Sequence, residues 1–247
     1  MTGLTFIEAG WPGPKGVHAV TTTRAGGASD APFDALNLGG RVGDRVEAVT
    51  ENRQRLASAL HLPEPPRWLR QVHGRRVVSA ESVEGVVEAD GVITGLAGIV
   101  CAVLTADCLP IFLCDRSGEK VGLLHAGWRG LAAGVIESGV AALEVNPASI
   151  MAWLGPAIGP RAFEVGEDVR EAFAPVDGAQ ACFTPSGAPG KWLANLYALA
   201  RSRLRGCGVD QVWADETMCT FTDADRFFSY RRSNRCGRMA SLIWRVD

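Results

Sequence analysis

Cys108 and His125 bound a stretch that reads as a β-hairpin. Two apolar runs, Leu109–Leu113 and Val121–Leu124, flank the turn cluster Asp115-Arg116-Ser117-Gly118. Apolar runs around such a cluster form antiparallel strands. Pairing them brings the residue before the first run and the residue after the second to one end of the sheet. A thiol and an imidazole 17 residues apart in sequence thereby become neighbours. Three chemistries fit the pair: a core thiol beside a hydrogen-bonded histidine, two ligands of a metal such as zinc, or a Cys/His nucleophile and base. Asp107, directly before the thiol, weighs against the first, because a buried carboxylate costs free energy unless it has a partner or a task. Gly127 then breaks the chain. A helix expected from Trp128 would turn its free N–H groups toward the same end.

Other polar residues stand where a ligand would need them. Arg24 follows an expected strand and precedes Gly26-Gly27-Ala28-Ser29, a loop whose amides can face an anion or simply face solvent. Asn37, in Phe33-Asp-Ala-Leu-Asn-Leu-Gly, reads as a turn former or a polar ligand contact. Arg231 and Arg232 open an arginine-rich segment near the C-terminus. Guanidinium groups match oxyanions with a bidentate fork, or they lie solvated on a turn. His73 precedes Gly74 at a bend, where a structural hydrogen bond is the ordinary role of a histidine.

The elements that must hold these residues follow from periodicity. Strands are expected at Gly16–Thr23, Arg75–Ser79, Gly91–Thr94, Gly98–Leu104, Ile150–Leu154, Cys182-Phe183, Val209–Ala214 and Met239–Val246. Cys101 falls inside one of them as a packing residue. Helices are expected at Asp44–Leu60, with Asp44 and Glu47 as a capping box and Val46, Val49, Leu56 and Leu60 on the buried face, at Trp128–Leu143, and at Trp192–Arg205. A further helix opens near Gly166, and Asp223–Phe228 reads as a short helical piece. Strands and helices mix without strict βαβ alternation, so the fold class is α+β with largely antiparallel or mixed sheets.

Composition narrows the function classes. The chain has 247 residues, a formal net charge of −2 and 47% apolar residues, enough for a sizeable core. No basic block points to nucleic acid, and no apolar run is long enough to cross a bilayer. The N-terminus lacks a basic segment followed by an apolar one, so a cytoplasmic protein is expected. Seven scattered cysteines without a CxxC argue against a disulfide framework.

Six ordered blocks carry a resemblance. Arg24-Ala-Gly-Gly-Ala-Ser, Gln71-Val-His-Gly, Thr105-Ala-Asp-Cys-Leu-Pro-Ile, His125-Ala-Gly-Trp-Arg-Gly, Gly155-Pro-Ala-Ile-Gly-Pro and Ser229-Tyr-Arg-Arg closely resemble the YfiH, or laccase-domain, family. Its members are also described as purine nucleoside phosphorylases, polyphenol oxidases or peptidoglycan editing factors. The resemblance implies one domain over residues 1–247, a four-layer α/β/β/α sandwich. It implies a zinc site built from His73, Cys108 and His125. The implied activity is phosphorolysis of adenosine, inosine and methylthioadenosine, accompanied by adenosine deamination. The partners would be a purine nucleoside and phosphate, with neither nucleic acid nor a membrane. After Gly155–Pro160, where many members carry cysteine, this chain has Arg161-Ala162.

Two imidazoles and a thiolate make a three-ligand site that keeps a position open for water or substrate. The set suits one zinc per chain and would also take copper. Deamination needs water activated at the metal. Phosphorolysis needs a bound phosphate, for which Arg24, Arg231 and Arg232 are the candidates, together with stabilisation of the leaving base. Asp107 would orient an imidazole or serve as general acid/base. Three other readings remain open: a single-copper polyphenol oxidase, a Cys/His amide hydrolase acting on cell-wall precursors, and a zinc-stabilised binding domain. A blue copper centre with a trinuclear cluster needs more imidazoles than the four present.

Overall fold

The computed structural model of the chain describes residues 3–247. Its strands are β1 (Phe6–Glu8), β2 (Val17–Thr22), β3 (Val77–Ser79), β4 (Gly91–Thr94), β5 (Cys101–Thr105), β6 (Leu109–Asp115) and β7 (Val121–Ala126). They continue with β8 (Ile150–Leu154), β9 (Glu164–Gly166), β10 (Phe183–Pro185), β11 (Lys191–Ala194), β12 (Gln211–Ala214) and β13 (Met239–Arg245). The helices are α1 (Val46–Ala59), α2 (Trp128–Ala133), α3 (Val135–Ala142), α4 (Glu167–Ala172) and α5 (Leu196–Gly206).

Two sheets stack face to face, one ordered β1-β2-β13-β5 and the other β12-β8-β6-β7-β4-β3. Strand alternation assigns each side chain to a layer. Cys101, Val103 and Ile243 of the first sheet meet Phe112, Leu123 and Trp153 of the second in the central layer. On the outer face of the first sheet, Val20, Ala102, Leu242 and Trp244 cover Leu56 of α1. On the outer face of the second, Ile111, Leu124 and Leu154 pack on Val135, Ile136 and Val140 of α3 and on Leu199 and Leu204 of α5. Each such fully buried aliphatic contributes about 1.5–3 kcal/mol. The result is the expected α+β sandwich of helix, sheet, sheet and helix. All strand pairings are antiparallel except β12 with β8 and β3 with β4. A small sheet, β10-β11-β9, stands beside these layers.

The hairpin forms as the turn cluster dictates. Pro110 pairs with His125 and Cys114 with Val121. The Asp115 carboxylate accepts hydrogen bonds from the Lys120 amide at 2.7 Å and the Ser117 amide at 3.3 Å, and Gly118 takes φ +76°, so the tight turn is closed by its own side chain.

Four expectations are corrected. The helix from Trp128 does not run to Leu143. Gly134, at φ 96°, gives its N–H to the Gly130 and Leu131 carbonyls and separates α2 from α3, as a left-handed glycine does at a helix C-terminus. Trp192 lies in β11, and the helix starts only after Asn195, whose Oδ1 accepts from the Ala198 amide at 3.0 Å. The Asp44/Glu47 capping box is absent. Arg45 is the N-cap, and the Asp44 carboxylate instead takes hydrogen bonds from Ser29 Oγ at 2.6 Å and Asn37 Nδ2 at 2.9 Å. Val46 is accordingly 71% exposed. Residues 223–228 make turns, not a helix.

Candidate metal centre

The end of the second sheet that carries Cys108 and His125 is organised by Asp90, which directly precedes β4. Gly91 pairs with Leu124, so extending the register by one places Asp90 beside His125. Asp90 is fully buried. Its Oδ1 lies 2.8 Å from His125 Nδ1 and accepts the His73 amide at 2.9 Å. Its Oδ2 accepts the Gly74 amide at 2.7 Å and the Val72 amide at 3.2 Å. One carboxylate therefore holds one imidazole by its ring and the other by its backbone. Three successive amides closing on an anion also stabilise the positive φ of His73, 58°. With Nδ1 of His125 taken, Nε2 is the ring nitrogen left for a ligand.

Cys108, just before β6, completes the group. The ligand atoms of His73, Cys108 and His125 lie within 4.8 Å of one another, with Cys108 Sγ 3.8 Å from His73 Nε2. The two imidazole rings sit edge to face, 4.7 Å between centroids. Gly127 makes this approach possible: a Cβ there would lie 2.9 Å from Cys108 Sγ and 3.0 Å from His73 Cδ2. Burial pushes the Cys108 thiol up, but the His125 charge and hydrogen bonds from both imidazoles override it and bring the thiol down to about 6. Burial pulls His125 down, and the Cys108 thiolate with the Asp90 carboxylate overrides that and raises it. Each group thus favours the charged form of the other, and a cation binding there would compete with the His125 proton. Two nitrogens and a soft sulfur fit one zinc or copper ion.

The group opens into a cavity of about 970 Å³, at the upper end of the ~300–1,000 Å³ range of small-molecule sites. Its wall carries Arg41, Arg53, Arg70, Arg129, Arg231 and Arg238. Four of these lie over aromatic rings that also line the cavity: Arg53 on Trp68 at 4.3 Å, Arg129 on Trp128 at 4.3 Å, Arg231 on Phe163 at 5.3 Å and Arg238 on Tyr230 at 5.7 Å. Stacking holds a guanidinium in place while its edge stays free for an anion.

The residues read from sequence are only partly gathered here. Arg231 reaches the cavity, anchored by its Nη1 to the Glu164 carbonyl at 2.7 Å. Arg24 does not. Its Nε and Nη2 go to the Asp34 carbonyl at 2.9 and 2.6 Å, its Nη1 goes to the Ala224 carbonyl at 3.0 Å, and it stacks on Phe228. Arg232 is likewise spent on the carbonyls of Thr220, Phe221 and Phe227. Asn37 is a buried turn former whose Oδ1 accepts the Gly39 and Arg238 amides, both at 2.9 Å. Asp107, at φ 90°, turns its carboxylate away from the imidazoles. It accepts Thr220 Oγ1 at 2.7 Å, Ser229 Oγ at 3.0 Å and the Arg231 amide at 2.7 Å. The imidazole is oriented by Asp90, and Asp107 ties the arginine loop to the metal loop. The signal for Asp90 was the Asp-Gly pair opening a buried strand opposite His125.

Close relatives exist. "Purine nucleoside phosphorylase YfiH" of Escherichia coli (strain K12) is 52% identical over 243 residues, covering 98% of this chain and 99% of that protein. "Purine nucleoside phosphorylase PA4543" of Pseudomonas aeruginosa is 52% identical with the same coverage. The crystal structure of Neisseria meningitidis protein NMB0706 superposes with a TM-score of 0.94 at 47% identity, over 98% of this chain and 99% of that one. YlmD from Geobacillus stearothermophilus gives a TM-score of 0.90 at 33% identity, over 98% of this chain and 96% of that one. A family described as "Multi-copper polyphenol oxidoreductase laccase" matches residues 18–246. The plural copper of that description does not fit this chain. His18 is stacked on Trp244 at 4.9 Å and His61 is exposed, so among the described residues His73, Cys108 and His125 form the one His/Cys group able to hold a metal. The match nonetheless spans nearly the whole sequence, and the chain belongs to this laccase-domain family.

Proposed function

We propose that the chain is a single zinc metalloenzyme domain that phosphorolyses purine nucleosides, adenosine, inosine and methylthioadenosine among them, and deaminates adenosine at the same centre. The observation that carries this reading is the His73-Cys108-His125 group opening into an arginine-walled cavity. It is supported by the phosphorylase names of relatives 52% identical over almost the full length. His73, Cys108 and His125 would hold the ion, which supplies Lewis acidity when bound. Asp90 fixes the tautomer and direction of His125. Arg129 and Arg231, next to the metal loops, bind the attacking phosphate with charge-assisted forks. Asp107 sets the Arg231 backbone. In phosphorolysis a phosphate oxygen bonds to C1′ as the C1′–N9 bond breaks, and the departing base takes up a proton. A small-molecule enzyme without nucleic-acid or membrane partners, working in the cytoplasm, fits the mixed surface charge. No helix of the described residues is long and apolar enough to cross a membrane.

The test uses purified protein of known metal content, incubated with adenosine with and without phosphate. Adenine and ribose 1-phosphate should form only with phosphate, and inosine in either case. Recovery of unchanged adenosine from the zinc-loaded protein overturns the reading. Activity that survives complete metal removal would point instead to Cys108 as a nucleophile.

A further inference from the structure

The cavity carries more positive charge than one phosphate requires. Asp107 is its one acidic lining residue, and both its oxygens are already occupied. Arg70 is paired with Glu88 at 3.0 Å. With Arg129 and Arg231 assigned to the attacking phosphate, Arg41, Arg53 and Arg238 are left without a counter-ion.

Arg53 and Arg238 are fixed on either side of the Gly39-Gly40 loop, and Arg41 lines the same cavity directly after it. The Arg53 guanidinium is anchored on the Leu38 carbonyl, from Nη2 at 2.9 Å, and the Arg238 Nη1 on the Cys236 and Gly237 carbonyls at 2.8 and 3.0 Å. Fully buried Asn37 clamps the Gly39 and Arg238 amides with one oxygen. The loop between them is free of side chains. A Cβ at Gly39 would lie 2.9 Å from Arg238 Cγ, and one at Gly40 would lie 3.8 Å from Arg53 Nη2. Arg41 follows directly, exposed on the cavity wall, and among the described residues it has no hydrogen bond, ion pair or ring contact. Burial pulls the Arg53 guanidinium below its usual value. Arg53 and Arg238, held by fixed carbonyls, and the unpartnered Arg41 present three like charges to one cavity, and these repel one another unless an anion sits among them.

We propose that Arg41, Arg53 and Arg238 form a second anion site for a phosphate group carried by the nucleoside itself, so that the substrate class includes purine nucleoside phosphates. The inference rests on the nucleoside reading above. The carried phosphate is a spectator: it gives binding energy and orientation while the C1′–N9 bond is exchanged for a bond to the attacking phosphate.

The experiment titrates inorganic phosphate, adenosine and AMP separately into the full-length zinc-loaded protein by calorimetry. Wild type should bind two phosphates per chain, and Arg41→Gln one. AMP should bind at least about tenfold more tightly than adenosine, as expected of one charge-assisted contact. That ratio should fall to within twofold in Arg41→Gln and return partly in Arg41→Lys, which keeps the charge but lacks the fork. Arg41 has no partner in the fold, so its variants keep their melting temperature. A single phosphate site in wild type, AMP no tighter than adenosine, or a ratio unchanged in Arg41→Gln each overturns the inference. Phosphorolysis of adenosine alongside any of these leaves the proposed function standing without it. Two bound phosphates with no affinity for adenosine or AMP overturns both.

Discussion

The two poles of the cavity are built by opposite means. At the candidate metal pole, three potential ligands converge through sheet register: β6 and β7 fix Cys108 and His125, and one buried carboxylate at the head of β4 fixes His125 and His73 together. At the arginine pole no register operates. Whether a guanidinium reaches the cavity depends on which backbone carbonyls claim it first. Arg24 and Arg232 spend their donors on loop carbonyls, whereas Arg129 stacks on Trp128 and keeps its edge free. A register is local information. The destination of a long flexible side chain is not.

The difference makes the metal pole brittle. Replacing Cys108 by Ala removes one of three proposed ligands, so bound zinc should fall from one per chain to a small fraction, and nucleoside turnover with it. Elemental analysis after gel filtration checks this. A full complement of zinc in the mutant, with the fold intact by circular dichroism, would falsify the ligand assignment.

Asp90→Asn tests whether one carboxylate serves both histidines. The amide cannot accept from three backbone N–H groups and an imidazole at once. Zinc affinity should drop ten- to a hundredfold, and loss of hydrogen bonds to a buried charge should cost about 1.5–3 kcal/mol of stability. An equal loss of stability with unchanged zinc affinity would leave Asp90 as a fold residue only.

Gly127→Ala pushes a methyl against Cys108 Sγ and the His73 ring, at a cost of about 1–3 kcal/mol for overpacking and with weaker zinc binding. Gly206→Ala is the control, since a Cβ there meets nothing within 4 Å. Similar zinc affinities for the two variants would show that the ligand cage yields more than its close packing implies.

At the arginine pole the same logic forecasts a smaller and differently shaped effect. Arg24→Ala should destabilise by about 1–2 kcal/mol through lost hydrogen bonds, lowering Tm by a few degrees, while the KM for phosphate stays within twofold. Arg231→Ala should raise that KM by about tenfold or more. A reversal of the two phenotypes would return Arg24 to the phosphate and break the contrast between the poles.

Legibility in the sequence follows this division. The hairpin, the two buried strands Gly91–Thr94 and Ile150–Leu154, and the pairing of Cys108 with His125 were readable because alternation, turn residues and apolar runs agree with the tertiary fold. Gly134 was not read as a break, because the apolar periodicity of α2 continues in phase into α3, while the left-handed φ that divides them is a backbone property. Trp192–Ala194 carries helix-compatible residues, but pairing with β9 and β10 decides for strand. Asp107 was the conspicuous acid beside the thiol, yet its φ of 90° directs it elsewhere. Asp90, 18 residues before Cys108, becomes visible only once β4 is known to lie next to β7.

The same distinction between a local pattern and the use made of it sets the smallest expected effect. Asp44 and Glu47 have the spacing of a capping box, and a formed cap contributes about 1 kcal/mol. Here Asp44 is committed to Ser29 and Asn37, Arg45 occupies the N-cap position without a side-chain cap bond, and Glu47 is exposed in the first turn. What remains to Glu47 is its charge near the positive end of α1, about 0.3–1 kcal/mol at low ionic strength and less in salt. Glu47→Ala should therefore shift stability by no more than about 0.5 kcal/mol at 0.15 M salt, and the shift should shrink further at 1 M. Asp44→Ala should cost several times as much at both salt concentrations, because it removes an acceptor from Ser29 and from the Asn37 that shapes the Arg238 corner. Equal and salt-insensitive losses for the two variants in urea denaturation would mean that a capping box forms in solution, and that Asp44 is not committed to the arginine side of the cavity.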